Sequence, residues 1–202
     1  DEGALRSIHG TDLDIIETEA ARNKGLLELV TDSEGIRQVK ARGEIGLMIG
    51  VEGGHAIEDS LEILAELYDR GARYLTLTHV NTNNWADSSG GEARHGGLTA
   101  FGREVVAAMN AMGMIVDISH VADSTFYNAL ETSSVPVMAS HSSCRDLASH
   151  PRNLTDDMLR DLASQGGVCM INFFSAFIND DASRLMQQAG KSSRKRPSSE
   201  FE

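Results

Sequence analysis

The segment Met114-Ile-Val-Asp-Ile-Ser-His120 is a short apolar run that ends in Ser-His. A second apolar run, Val135-Pro-Val-Met-Ala-Ser-His141, ends in the same dipeptide, and the residues between the two runs suffice for a helix of three turns. This pattern is typical of a parallel crossover, in which both strands end at the same edge of the sheet. His120 and His141 are therefore expected to lie side by side. Because imidazole is the commonest metal ligand, the pair either shares a metal ion or consists of two polar residues that cap the following loops.

Strand and helix signals alternate along the rest of the chain. Three further apolar segments have the length of strands, Ile45–Val51, Arg73–Thr78 and Gly167–Phe173, and the segments between them have the periodicity of helices. A helix is also predicted at Ile15–Val30. Apolar strands separated by helices indicate a parallel sheet that is covered on both faces, which is either doubly wound or a (β/α)8 barrel.

Polar residues at the strand ends favour the barrel. Four successive strands are followed by Glu52, His79, His120 and His141. A barrel brings such positions to one mouth, whereas an open sheet would spread them over roughly 15 Å, at just under 5 Å per strand. Since a complete barrel of this type needs about 250 residues, the predicted fold is an α/β (β/α)8 TIM barrel, present here as an incomplete barrel of about five parallel strands.

Composition limits the classes of partner. The chain has 202 residues, of which 41% are apolar, and a formal charge of −12, which argues against a nucleic acid or an anionic membrane surface as partner. The sequence has no run of 18 apolar residues, so no membrane span is predicted. The two cysteines, Cys144 and Cys169, form no CxxC pattern. Residues 1–190 are assigned to one partial catalytic domain and residues 191–202 to a Ser- and Arg-rich tail. The sequence does not decide whether the protein is cytoplasmic or exported.

Seven motifs, in order, resemble those of the membrane (renal) dipeptidase family, zinc-dependent (β/α)8-barrel hydrolases of the amidohydrolase superfamily. The motifs are Gly50-Val-Glu-Gly-Gly-His55, Tyr74-Leu-Thr-Leu-Thr-His79, Trp85-Ala-Asp87, Gly97-Leu-Thr-Ala-Phe-Gly102, Asp117-Ile-Ser-His120, Ser140-His-Ser142 and Arg152-Asn153. The resemblance extends from about Ile45 to Phe174 and implies hydrolysis of the peptide bond of dipeptides by metal-activated water.

The resemblance also implies roles for individual residues. Glu52 would bridge two zinc ions and act as a catalytic residue, and His120 and His141 would bind one of the ions. His79 would contact the substrate and stabilise the tetrahedral intermediate. Arg152 would pair with the carboxylate of the substrate, for which a guanidinium is well shaped. His55 either supports the site from outside or takes part in catalysis, and Asp117 could orient a ligand but is not assigned to the site.

Two parts of the family pattern are missing from the chain. The first family strand ends in His-x-Asp, but none of the seven histidines has Asp two places on, and His9-Gly-Thr-Asp12 has the wrong spacing. A late Asp that serves the family as proton carrier has no counterpart after Phe174. The chain is therefore interpreted as strands two to six of a dipeptidase. We expect at most one of the family's two zinc ions on it, no activity from these residues alone, and aggregation through open sheet edges.

Alternative functions remain at this point. The chain is either a dipeptidase segment, an inactive truncated relic with at most one metal site, or part of a related amide, lactone or β-lactam hydrolase. Arg152 favours a small dipeptide substrate with a free carboxylate. A homodimer is possible, and neither a nucleic acid nor a membrane span is expected.

Overall fold

A computed structural model describes the backbone of residues 13–193 and the side chains of residues 13–186. Its helices are residues 13–22 (α1), Ser33–Arg42 (α2), Leu61–Asp69 (α3), Ala100–Met112 (α4), Asp123–Thr132 (α5), Asp156–Ser164 (α6), Ser175–Ile178 (α7) and Asp180–Ser193 (α8), with a 3-10 turn at Gly54–Ile57. Its strands are Leu27–Leu29 (β1), Ile45–Leu47 (β2), Ile49–Glu52 (β3), Ala72–Thr76 (β4), Ile115–Asp117 (β5), Met138–Ser142 (β6) and Val168–Ile171 (β7).

Five parallel strands form the main sheet, in the order β3-β4-β5-β6-β7. Helices connect most successive strands, so each strand lies beside the next one in sequence, as in a (β/α) barrel. A two-stranded parallel sheet, β1-β2, continues into the main sheet because only Met48 separates β2 from β3. Within the described residues the main sheet is open, since β3 and β7 are not neighbours. The predicted arc of about five parallel strands is confirmed.

The helix predicted at Ile15–Val30 is wrong in its second half. The helix ends at residue 22, and the chain turns through Gly25, which has a φ of +86°. Leu27–Leu29 then form β1, which pairs in parallel with β2. The spacing of the leucines in this segment is compatible with a helix or with a strand, so the sequence carries no local signal of the pairing. The contact with β2 in the folded chain makes the segment a strand. His9, Asp12 and residues 194–202 of the predicted tail lie outside the described residues.

Side-chain caps fix the beginnings of four helices. Asp32, Ser60, Thr99 and Thr155 each accept a hydrogen bond from the backbone N–H three residues later. Such a cap stabilises a helix by about 1 kcal/mol. Three of these helices, α3, α4 and α6, precede strands of the main sheet, and α2 precedes β2, so the caps fix the start of the helix that leads into each of these strands.

Apolar side chains of the strands and helices form one core between the main sheet and the helices that cover it. Leu75 and Val116 from the sheet are fully buried with Leu64, Val105 and Phe126 from the helices. Trp85 is also buried in this core. No helix within the described part of the chain has the length and hydropathy needed to cross a membrane.

Candidate metal centre

The carboxyl ends of neighbouring strands bring three potential metal ligands together. Glu52 is the last residue of β3, His120 lies three residues beyond β5, and His141 lies within β6. Oε1 of Glu52 is 3.0 Å from Nε2 of His120 and 3.1 Å from Nε2 of His141. The two Nε2 atoms are 2.9 Å apart. These three atoms form a nearly equilateral donor triangle, as the positions of the residues at the strand ends predict.

The donor triangle fits a single divalent cation. With bonds of about 2.0–2.1 Å, a tetrahedral zinc ion separates its ligand atoms by about 3.3 Å. The observed separations are slightly shorter, so a small outward movement of the side-chain tips admits an ion above the plane of the triangle. Two imidazole nitrogens and one carboxylate oxygen are also a donor set that zinc takes in catalytic sites. Among the described residues, no other group of three His, Cys, Asp or Glu side chains is arranged in this way.

His120 is prepared for a metal by its surroundings. Burial lowers the pKa of its imidazole to about 3, and the positive charge of Arg152 acts in the same direction against the opposing effect of Glu52. The ring is thus neutral at neutral pH. A neutral imidazole has a nitrogen lone pair available for a cation.

The backbone of His120 is held in an unusual conformation. Its φ is +69°, in the left-handed region that is costly for a residue with a Cβ. Ser89 of the loop between β4 and α4 holds it there, because the N–H and the hydroxyl of Ser89 donate to the carbonyl of His120 at 2.8 and 3.0 Å. The Ser88 hydroxyl lies 3.1 Å from the same carbonyl but only 2.6 Å from that of His79. Strain at a candidate ligand is therefore opposed by two hydrogen bonds from a distant part of the chain.

Two glycines allow the chain to turn beside the donor triangle. Gly53 has a φ of +114°, and a Cβ there would lie 2.5 Å from Cε1 of His55. A Cβ at Gly54 would lie 2.2 Å from Cζ2 of the buried Trp85. Neither position has room for a side chain. His55 thus lies over Gly53 and is not a member of the donor triangle.

His79 lies beside the triangle and borders a cavity. Its Nε2 is 3.8 Å from Oε1 of Glu52, and its ring centroid is 4.6 Å from that of His120. A cavity of about 520 Å³ opens on its other side, lined by His55, Glu58, Asp59 and residues 79–84. The side chain is 44% exposed, so the imidazole is accessible to a molecule bound in this cavity.

Arg152 is a partly buried cation beside the same centre. Its Nη2 donates to the carbonyl of His141 at 3.0 Å, and its Cζ lies 5.1 Å from the ring centroid of Phe177. Burial lowers its pKa to about 10, against the opposing effect of Glu52 and Asp117, and the group is still charged at neutral pH. Within the described part of the chain, Arg152 has no carboxylate in ion-pairing distance. Arg145 in the same loop, by contrast, forms a bidentate pair with Asp123.

The sequence did not assign a role to Asp117, which the structure places directly behind the centre. Its carboxylate is fully buried and accepts hydrogen bonds from Thr76, Ser119 and Ser140. The Ser140 hydroxyl also lies 2.7 Å from Nδ1 of His141. A charged residue within an apolar strand is a signal that could have indicated such a network, because buried carboxylates require hydrogen-bond partners.

Residues 6–194 match the family model described as membrane dipeptidase (peptidase family M19). The chain belongs to the membrane dipeptidase family. A curated relative, dipeptidase verJ of Clonostachys rogersoniana, is 43% identical over 162 residues, which are 80% of this chain and 42% of that protein. The chain therefore spans less than half the length of this relative, and its match supports the predicted resemblance.

Solved structures of the same fold give a consistent picture of the membrane dipeptidase family. An amidohydrolase from Pseudomonas aeruginosa is 29% identical, with a TM-score of 0.77 over 82% of this chain and 50% of its own. A probable dipeptidase, PvdM, from the same organism has a TM-score of 0.86 at 23% identity, over 99% of this chain and 53% of its own. The α/β fold is thus confirmed as that of M19 metallopeptidases, of which this chain covers about half.

Proposed function

We propose that this protein is a zinc-dependent dipeptidase in which Glu52, His120 and His141 bind one of the metal ions. The observation that carries this proposal is the donor triangle, with all three separations between 2.9 and 3.1 Å, in a chain of the membrane dipeptidase family. The identity with a curated dipeptidase over four fifths of the chain supports the substrate class. Zinc bound there would supply a Lewis acid and a water activated for attack at neutral pH.

Glu52 is proposed to bridge two cations. Both of its contacts with the imidazoles use Oε1. Its second oxygen, Oε2, takes part in neither contact and would hold the other cation, and the side chain is half exposed. In this proposal Glu52 acts as the shared ligand of a two-metal site, which clamps the reacting oxygen atoms during displacement.

His79 is proposed to stabilise the charge that develops on the scissile carbonyl. Its ring lines the cavity and its centroid is 4.6 Å from that of His120, so a peptide group that extends from the cavity towards the donor triangle would pass this imidazole. A hydrogen bond donated to the developing oxyanion accelerates the reaction because it is stronger in the transition state than in the ground state.

Arg152 is proposed to bind the carboxylate of the dipeptide. A charged guanidinium that lies close to the centre and has no ion-pairing partner in the described structure provides the complementary group for an anion. This feature favours a dipeptide with a free carboxyl terminus over a neutral amide or lactone. Homodimer formation is a separate possibility, on which the centre does not depend.

The metal part of the proposal is tested by zinc binding to the chain. Equilibrium dialysis should show tight binding to the wild type and loss of binding in Glu52→Gln. Glu104→Gln is a matched control, since Glu104 is an exposed carboxylate on α4. Binding that survives Glu52→Gln would contradict the assignment of the ligands.

The catalytic part is tested on the complete gene product. We expect hydrolysis of dipeptides that a chelator abolishes and zinc restores. Zinc binding without turnover of any dipeptide would support the inactive relic, and turnover of β-lactams or lactones alone would support the related hydrolase.

A further inference from the structure

We infer that Ser140 and Asp117 are positioning residues that hold His141 in one tautomer, with its Nε2 lone pair directed into the donor triangle. This inference rests on the proposed function for its metal, but the tautomer itself is a property of the metal-free chain. It assigns a role to the serines of the two Ser-His dipeptides, which the metal assignment leaves unexplained.

The first step concerns the Asp117 carboxylate. It accepts four hydrogen bonds: Oδ1 accepts from the backbone N–H groups of Ser119 and Ser140, each at 2.9 Å, and Oδ2 from the hydroxyls of Thr76 at 2.7 Å and Ser140 at 2.5 Å. A fully buried carboxylate with four donors around it is an acceptor in every one of these bonds. The direction of the Ser140–Asp117 bond is thereby fixed.

The second step follows from the single hydrogen of the Ser140 hydroxyl. Because that hydrogen is donated to Asp117, Ser140 has only lone pairs to offer Nδ1 of His141, which lies 2.7 Å away. Nδ1 must then be the protonated ring nitrogen. A neutral imidazole with its proton on Nδ1 has an unprotonated Nε2, and this is the atom in the donor triangle.

Ser119 supports the same residue from the neighbouring segment. Its hydroxyl accepts the backbone N–H of His141 at 3.0 Å and lies 3.3 Å from the Ser140 hydroxyl. Both serines therefore hold His141, one through its ring and one through its backbone. Outer groups of this kind commonly fix the orientation of a metal-bound histidine.

The tautomer is tested by proton–nitrogen correlation NMR on metal-free protein with labelled histidines, at a pH where the ring is neutral. The spectrum distinguishes protonated from unprotonated ring nitrogens, and His141→Gln identifies the signal. We expect protonated Nδ1 in the wild type and in Ser140→Thr, and a mixture of tautomers in Ser140→Ala. Ser142→Ala is a matched control on the same strand, because the buried Ser142 hydroxyl has no hydrogen-bond partner in the described structure. It should leave the signal unchanged.

Asp117→Asn gives the sharpest test because it reverses the direction of the hydrogen bonds. The amide oxygen would take the site facing the two backbone N–H groups, so the amide nitrogen would donate to Ser140. The Ser140 hydrogen would then point to Nδ1 of His141 and drive the ring proton to Nε2. An unchanged wild-type tautomer in both Asp117→Asn and Ser140→Ala would overturn the inference.

Zinc affinity separates this inference from the proposed function. Outer hydrogen-bond partners typically change metal affinity by about 10–100-fold, so we expect weakening in that range for Ser140→Ala and Asp117→Asn and none for Ser142→Ala. If the wild type bound no zinc while its tautomer followed the pattern above, the proposed function would fail and the positioning role would stand. Wild-type affinity in both variants would count against that role.

Discussion

The Nε2 atoms of His120 and His141 lie 2.9 Å apart, although the two histidines are 21 positions apart in the chain. Two ring nitrogens at this distance cannot both present lone pairs to each other without repulsion, so they share either a proton or a cation. The carboxylate of Glu52, within 3.1 Å of both, adds a negative charge at the third corner that stabilises either of these positive charges.

The first prediction concerns zinc stoichiometry. The donor triangle is the one such group in the described residues, so the chain should bind at most one zinc ion tightly. His120→Gln should weaken zinc binding by more than about 100-fold, because losing only a hydrogen-bond partner of a ligand already lowers metal affinity by about 10–100-fold. His95→Gln is the control, because the ring of His95 contacts the Asn83 carbonyl and His95 is not part of the donor triangle. Competition with a chelator measures both affinities, and two tight zinc ions per chain would refute the prediction.

A second prediction concerns recognition of the substrate carboxylate. In the active dipeptidase, Arg152→Lys should lower kcat/KM by an amount equivalent to about 2–4 kcal/mol, because Lys cannot form the bidentate pair. The loss should be confined to dipeptides with a free carboxyl terminus. Arg145→Lys, which affects a residue already paired with Asp123, should act equally on free and amidated dipeptides. Equal losses on both substrates for Arg152→Lys would exclude Arg152 as the carboxylate partner.

Asp87 is predicted to stabilise the loop that holds His120. Burial of its carboxyl would raise the pKa, but hydrogen bonds from the N–H groups of Arg94, Gly97 and His95 outweigh this effect and lower it. Asp87→Asn should lower the free energy of unfolding in urea by about 1–3 kcal/mol at neutral pH. Asp146→Asn, at an exposed carboxylate, should have little effect.

The effect of Asp87 should also depend on pH. Because its pKa in the folded state lies below the ordinary value of 3.8, its contribution is fully present above about pH 4 and is lost as the pH falls through the folded pKa. The difference in unfolding free energy between wild type and Asp87→Asn should therefore shrink below pH 4. A constant difference across that range would show that ionisation of Asp87 contributes nothing.

The outer edge of the sheet is predicted to cause self-association. Within the described residues β7 pairs only with β6, and Val168, Met170 and Ile171 on it are about half exposed. Such an edge can pair with another chain. Met170→Lys should reduce the associated fraction in sedimentation velocity, whereas Leu147→Lys, at a more exposed apolar residue outside the strands, should not. A monomeric wild type would contradict this prediction.

The sequence alone determined the arc and the position of its donor triangle. Apolar runs of strand length alternate with amphipathic helices, and parallel crossovers place every strand end at one edge. Glu52, His120 and His141 follow or end such runs, so their convergence required no knowledge of individual contacts. The motifs also sufficed to predict the family, which the match over residues 6–194 confirms.

Only the tertiary structure decided how the centre is held. The left-handed backbone of His120 is held by Ser89, which lies 31 positions earlier, and the network of Asp117 joins three strands. Among the described residues, the absence of a carboxylate partner for Arg152 and the pairing of β1 with β2 are likewise non-local. Local periodicity reports which face of an element is buried, but it contains no information on which distant polar groups meet. Hydrogen bonds and charges between separate elements therefore become visible only when the chain is folded.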